Sequence, residues 1–365
     1  MNHAIHTRLS HAEIADLMIA MRLNLKLIVR GPKGTGKSSI KRLLMEKLGT
    51  DEYHHVRFDC AGQTVGDTAL PWADWDSGTT KFLPTELFGF HTGKKLVICF
   101  DELPKAPLFV QRALTPMFEE TDPSFANYAI PEGSILWATG NEDGENLGDD
   151  LPAHLEDRLC SVHLRQPNVR EFQLYGYRSG MADPVLAFVE QFPEVLSSFT
   201  DPDFDRDNPY VFNPYKGNSG KYATLRGLEK CSHLIKQRHA SGMTANAFTA
   251  ALIGHVGETT ARAMEAFIAY EDQFPPFEDI INNPDKAMLP ESTGARLVLC
   301  FKLLRNLRPD TLDPIIEYAC RFSTDTTALF FTSMANNPDI TAMMARKGGN
   351  KTYSRWLMEH QALFG

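Results

Sequence analysis

The feature that most restricts this chain is a run of eight residues, Gly31-Pro32-Lys33-Gly34-Thr35-Gly36-Lys37-Ser38, set between an apolar stretch and an amphipathic one. It fits the spacing G-x-x-x-x-G-K-[ST], a pattern that carries meaning only between a strand and a helix. Both flanks are present: Leu27-Ile28-Val29-Arg30 reads as a strand, and residues 39–48, beginning at Ser39, read as a helix. Glycines in such a turn let backbone N–H groups converge on phosphate oxygens, and the helix N-terminus adds positive potential. The expectation is ATP held by Gly31 through Ser38 together with Ser39. Lys37 would reach the β and γ phosphates, and the Ser38 hydroxyl would ligate Mg2+.

The same alternation recurs along the first half. Short β-rich apolar runs at 25–29, 56–60, 96–100, 135–138 and 162–164 alternate with helical stretches, which predicts an α/β fold with a parallel sheet covered by helices. Ser10-His11-Ala12-Glu13 reads as a capping box that opens a helix ending near Met21. Residues 62–93, rich in Pro, Trp, Gly and Asp, lack clean periodicity and read as an insertion or loop. From Asn168 onward helical periodicity takes over, with helices expected at 184–192, 225–240, 247–254, 259–270, 293–307 and 311–322 and a loop at 201–220. The domain expectation is an α/β nucleotide-binding core over 1–166, an α-helical lid over 167–255 and a helical extension over 256–365.

Two further strands end in chemistry. Leu96-Val97-Ile98-Cys99-Phe100 closes on Asp101-Glu102, a Walker B pattern. Asp101 would hold the Mg2+ shell, and Glu102, projecting elsewhere, would polarise the attacking water as general base. Ser134-Ile135-Leu136-Trp137-Ala138-Thr139-Gly140 closes on Asn141, whose amide would orient that water or the γ-phosphate.

Taken together these residues resemble the MoxR-like branch of the AAA+ ATPases. The stretch from Asp101-Glu102-Leu103-Pro104-Lys105-Ala106-Pro107 to Phe118-Glu119-Glu120 looks like that branch's Walker B and the helix after it, and Ala138-Thr139-Gly140-Asn141 looks like its sensor 1. Leu151-Pro152-Ala153-His154-Leu155-Glu156-Asp157-Arg158-Leu159 resembles the segment that presents an arginine finger to a neighbouring subunit, with Leu159 where the family usually has Phe. Arg158 is the implied finger, and Arg165 and Arg112 are its reserves. Thr224-Leu225-Arg226 is similar to the sensor 2 segment, without its usual Pro, and implies that Arg226 leans toward the γ-phosphate. The resemblance implies ATP hydrolysis by a ring, usually hexameric, that remodels a protein client, commonly with a partner carrying a von Willebrand factor A-like domain. In the insertion, Trp72, Trp75, Phe82 and Phe88 are candidate contacts for such a client, or else pack onto the core.

Bulk properties remove some classes. A net charge of −9 argues against wholesale wrapping of nucleic acid, although Lys81, Lys94, Lys95 and Lys105 could line a basic pore, which keeps a nucleic-acid motor or loader as the alternative. A small-molecule P-loop kinase is the more distant reading. The six cysteines stand singly, with no C-x-x-C pair, and are expected to be buried thiols rather than metal ligands. No apolar run approaches the roughly 18 residues of a membrane span, so the expected location is the cytosol.

Overall fold

The computed structural model describes residues 7–142, 151–216, 220–238 and 240–360. These residues form two compact units, Met1–Gln166 and Pro167–Gly365.

Among its described residues the first unit has ten strands: β1 (Arg8–Leu9), β2 (Leu27–Arg30), β3 (Tyr53–Asp59), β4 (Ala69–Asp74), β5 (Thr79–Pro84), β6 (Lys95–Asp101), β7 (Ser124–Phe125), β8 (Tyr128–Ala129), β9 (Ile135–Gly140) and β10 (Cys160–Leu164). Six of them make one sheet in the order β1-β10-β2-β9-β6-β3, and every pairing in it is parallel. A parallel sheet buries both faces, which explains why β6 and β9 read as nearly continuous apolar runs. Leu27, Val29, Val97, Cys99, Ile135 and Trp137 face a layer containing Ile14, Met18, Ile40 and Leu44. The alternate residues, Ile28, Val56, Phe58, Ile98, Phe100, Leu136 and Ala138, face Val110, Leu114, Met117 and Phe118. The α/β alternation read from the sequence is therefore the architecture.

The helix His11–Met21 is capped as its sequence requires. Glu13 N donates to Ser10 Oγ at 3.2 Å, and Ser10 N donates back to Glu13 Oε2 at 2.8 Å. The two-residue strand β1, which no periodicity announces, extends the sheet beyond β10.

The 62–93 segment, expected as an insertion or loop, contains a hairpin flanked by 3-10 turns: β4 and β5 pair antiparallel, with Leu70 opposite Leu83 and Trp72 opposite Lys81. Its signal is hidden because most of both strands is exposed, so no inside-outside alternation arises. Its aromatics divide. Trp72, Trp75 and Phe82 are exposed, Trp75 at 89%, whereas Phe88 is fully buried against Phe58, Phe100 and Phe125.

Among its described residues the second unit holds helices and no strand. The principal ones are Val169–Arg178, Asp183–Gln191, Leu225–Gln237, Ala245–Val256, Glu258–Ala269, Thr293–Arg305, Leu312–Ala319, Thr324–Ala335, Pro338–Lys347 and Lys351–Glu359. One apolar cluster joins them, drawing Val185, Phe188, Leu252, Met264, Val298, Ile316, Phe330 and Trp356 into contact. The expected loop at 201–220 is irregular, with 217–219 outside the described residues. Cys60, Cys99, Cys231 and Cys300 are buried, and burial pushes the Cys231 thiol up to about 12. Cys160 departs from expectation: it opens β10 and is exposed.

Candidate functional site

In a parallel sheet the carboxyl ends of the strands share one edge, and ligand sites of open α/β folds form there. The carboxyl ends of β2, β6 and β9 carry Gly31, Asp101 and Asn141 respectively. Because β9 lies between β2 and β6, its carboxyl end stands between the other two.

The turn after β2 is internally braced. Gly34 and Gly36 adopt positive φ of 81° and 79°, a conformation that L side chains resist. Thr35 is fully buried and its hydroxyl donates to Pro32 O at 2.8 Å, while the His11 ring donates through Nε2 to Thr35 O at 2.9 Å. At Gly31 a Cβ would stand 3.3 Å from Leu164 Cβ, so the turn passes tightly over β10. Lys37–Ser39 is a 3-10 turn that runs into the α-helix Ile40–Leu48, so the expected helix is present but begins tightly wound. Lys37 Nζ donates to Gly31 O at 2.6 Å, Pro32 O at 3.1 Å and Asn141 Oδ1 at 3.3 Å. The ammonium and the amide expected at one phosphate are thus in contact.

Asp101 is 5% exposed and meets three groups. The Ser38 hydroxyl lies 3.5 Å from both of its carboxylate oxygens. Thr139 donates through Oγ1 to Oδ1 at 2.5 Å, and Arg57 donates through Nε to Oδ2 at 2.7 Å and through a terminal nitrogen to the same oxygen. The pairing with Asp101 also raises the Arg57 guanidinium above its ordinary value, against the opposing effect of burial. Thr139 has a second task, accepting the Glu102 backbone N–H at 2.8 Å. Glu102 is one of the non-glycine residues at positive φ, 53°, with ψ 40°. That left-handed turn costs about 1–3 kcal/mol and is typical of functional sites. Its effect is to send Glu102 away from its neighbour, toward Lys105 Nζ at 3.0 Å and toward solvent. The two consecutive carboxylates therefore diverge.

Mg2+ favours hard oxygen donors, one or two of them carboxylate, and takes the rest from water and phosphates. Ser38 and Asp101 fit that pattern. Among the described residues no group of three or more His, Cys, Asp or Glu could hold a metal by itself.

Behind Asn141 lies a buried carboxylate. Glu142 accepts from Arg8 NH1 at 2.8 Å and from His163 Nδ1 at 3.0 Å. Burial pushes its carboxyl upward, but the bonds from His163 and Arg8 outweigh it and leave the group below its ordinary range. Sequence reading passed over Arg57, Thr139 and Glu142. The first two are placed by strand register: Arg57 pairs with Cys99, two residues before Asp101 on the same face, and Thr139 follows Ala138, which pairs with Phe100.

The arginines are dispersed. Arg158 NH2 pairs with Glu119 Oε1 at 3.0 Å, and NH1 donates to His154 O. Cys160 to His163 pair with Leu27 to Arg30, so Arg158 lies before the start of β10 while Gly31 follows the end of β2. The two occupy opposite ends of the sheet, separated by about 13 Å or more at roughly 3.3 Å per residue. Arg165 lies at the carboxyl end of β10, where its N–H donates to Leu9 O at 2.9 Å, and Arg112 is exposed on the helix Leu108–Leu114. Arg226 is exposed in the second unit, on a helix capped by Thr224 Oγ1, which accepts from Gly227 N at 3.0 Å. Each lysine offered for a basic pore has an acceptor of its own: Lys81 has Asp74, Lys94 has Thr50 O at 2.9 Å, Lys95 has Glu52 at 3.0 Å and Lys105 has Glu102 at 3.0 Å.

No family model matches the chain. No curated protein matches it either. Among solved structures it is similar to a protein of Cytophaga hutchinsonii described as a putative ATPase, at 16% identity and a TM-score of 0.31. The match takes in 62% of this chain and 58% of that one, less than two thirds of its length. A likeness that loose carries no argument, and the assignment to the P-loop NTPase fold rests on the parallel sheet and the braced turn after β2. Among the described residues no helix is long and apolar enough to cross a membrane.

Proposed function

We propose that this chain is a Mg-ATP-dependent ATPase of the MoxR-like AAA+ type, acting as a homo-oligomeric ring, most simply a hexamer, that remodels a protein client. The observation that carries the ATPase reading is the meeting of three strand ends. Ser38 Oγ stands 3.5 Å from both oxygens of Asp101, and Lys37 Nζ stands 3.3 Å from Asn141 Oδ1.

In this reading the backbone N–H groups of the 31–36 turn cradle the phosphates, and Lys37 exchanges its carbonyl acceptors for phosphate oxygens. Ser38 and Asp101 would hold Mg2+, which when bound neutralises phosphate charge. Glu102 takes the proton of the attacking water, and Asn141 orients it. Arg158 serves a neighbour: its place at the far end of the sheet prevents it from reaching its own turn without refolding. For Arg226, on the helical lid assigned to 167–255 with 256–365 as an extension, we keep the sensor 2 role that the sequence resemblance implies. The exposed Trp72, Trp75 and Phe82 are the surface offered to the client, and a von Willebrand factor A-like protein is the partner that the sequence resemblance implies. A nucleic-acid motor is less well supported, because the lysines it would use are already paired.

Two variants separate binding from chemistry. Lys37→Ala should lose nucleotide binding, whereas Glu102→Gln should keep it and lose roughly 10²-fold or more in turnover. Parental turnover in Glu102→Gln would remove Glu102 as the base. Ring action is tested by mixing Lys37→Ala with Arg158→Ala. Hybrid interfaces place an intact Arg158 beside a nucleotide-competent site and should regain activity, since a finger contributes about 10³-fold or more. Mixed rings that stay inactive would mean that Arg158 does not act on a neighbour.

A further inference from the structure

Asp101, the carboxylate assigned to the metal, already carries a cation from the chain itself. Arg57 reaches it by register. In β3, Arg57 pairs with Cys99 and Asp59 pairs with Asp101, so Arg57, Asp59 and Asp101 share one sheet face. Arg57 and Asp101 are diagonal neighbours on adjacent strands, within reach of a long side chain. The contact has a definite shape. Both guanidinium nitrogens address Oδ2, while Thr139 holds Oδ1 at 2.5 Å. A carboxylate offers about four lone-pair sites; these donors take three, and the one left faces Ser38, whose hydroxyl is equidistant from the two oxygens at 3.5 Å.

The charges follow the same arrangement. Asp59 and Asp101 stand directly opposite each other, a like-charge pair that is unfavourable across strands. With Arg57 bonded to Asp101, these three side chains present a bare divalent cation with one net negative charge instead of two. The Asp101 side chain is 7% exposed but that of Arg57 is 50% exposed, so the guanidinium fills no core.

We propose that Arg57 is a positioning residue that aims Asp101 at the metal and, by cancelling its charge, makes divalent-cation binding depend on the phosphates of a bound nucleotide. The proposal rests on the reading of Asp101 as a metal ligand. Its measure is the coupling between metal and nucleotide, the factor by which Mg2+ tightens ADP, which equals the factor by which ADP tightens Mg2+.

The experiment measures that factor by calorimetry, with ADP titrated in EDTA and in Mg2+, together with free Mn2+ binding to the nucleotide-free protein followed by electron paramagnetic resonance. Wild type should bind Mn2+ weakly without nucleotide and show a large coupling factor. Arg57→Gln should bind Mn2+ about tenfold more tightly without nucleotide, the effect of one uncancelled unit charge several ångströms from a divalent ion in a solvent-like dielectric. It should reduce the coupling factor. A coupling factor and Mn2+ affinity equal to wild type would overturn the proposal. Asp101→Asn distinguishes the two levels: if it also leaves coupling unchanged, Asp101 is no metal ligand and the parent reading fails. If Asp101→Asn abolishes coupling while Arg57→Gln does not move it, only the role of Arg57 fails. Should Arg57→Gln not fold, Arg57→Lys carries the test. It keeps the charge and gives up the paired donors, so Mn2+ should stay weakly bound while coupling falls, and wild-type coupling would overturn the positioning role.

Discussion

Replacing Thr139 by Val is the substitution that most directly probes how the two carboxylates are set apart. Thr139 is fully buried, and its hydroxyl donates to Asp101 Oδ1 at 2.5 Å while accepting the Glu102 N–H at 2.8 Å. Valine keeps the shape and removes both bonds. A hydrogen bond to a charged group contributes about 1.5–3 kcal/mol, and a stranded buried donor costs about 1–3 kcal/mol. The two losses share one atom and do not simply add, so the expected destabilisation is about 3–5 kcal/mol. For a unit spanning Met1–Gln166 each kcal/mol lowers the melting temperature by about 2–4 °C, which places the fall near 10 °C in nucleotide-free calorimetry. Thr139→Ser supplies the contrast, because it keeps the hydroxyl and loses one methyl, worth about 1 kcal/mol. The reasoning therefore demands an order, with valine much worse than serine. If serine proves the more damaging, packing rather than hydrogen bonding holds this position, and the account of the Asp101-Glu102 divergence is wrong.

Three other outcomes follow from the geometry. Glu142 has a carboxyl held below its ordinary range by His163 and Arg8 against the effect of burial, so its contribution is complete above its unfolded value near 4.5 and lost as pH falls through the lowered folded value. Urea unfolding between about pH 5 and 3 should show wild type losing stability more steeply than Glu142→Gln, and parallel curves would refute the linkage. Gly257 has φ +83°, and a Cβ there would stand 2.3 Å from Lys221 O, so Gly257→Ala should cost at least about 2 kcal/mol in urea unfolding. A loss under about 1 kcal/mol would mean that the backbone there yields easily. Trp72→Ser with Trp75→Ser should leave stability within about 0.5 kcal/mol, because these side chains are 60% and 89% exposed, and a loss above about 1 kcal/mol would place them in a packed interface.

What the sequence disclosed and what it withheld divide along a physical line. Residues whose identity is dictated by local backbone geometry were legible: the glycines at 34 and 36, which take positive φ, the Ser10 capping box, and the apolar runs of a sheet covered on both faces. The hairpin β4-β5 escaped notice because alternation reports burial rather than strand geometry, and a ribbon exposed over most of its length has no burial to report. Strand β1 is two residues long and owes its place to Arg8 on Glu142 and to pairing with β10, both of which lie well over one hundred residues away in sequence.

The same distinction explains why Arg57 and Thr139 were missed. A motif identifies residues close together along one strand or turn, so Lys37, Ser38, Asp101, Glu102 and Asn141 could each be named from their own segment. Arg57 and Thr139 act on Asp101 from two other strands, and which residue of β3 or β9 lies beside Asp101 depends on register, which a single sequence does not state. Once β3 and β6 are aligned through Phe58 opposite Phe100, the period-two alternation of strands leaves Arg57 and Asp59 on the Asp101 face and excludes Phe58 from it. A slip of one residue would turn Arg57 to the opposite face and bring Phe58 to Asp101. The aromatic packing of Phe58 against Phe88 and Phe100 on one side of the sheet thus fixes where the guanidinium stands on the other. Core packing and site electrostatics are in this respect one constraint, imposed by the pleat of β3.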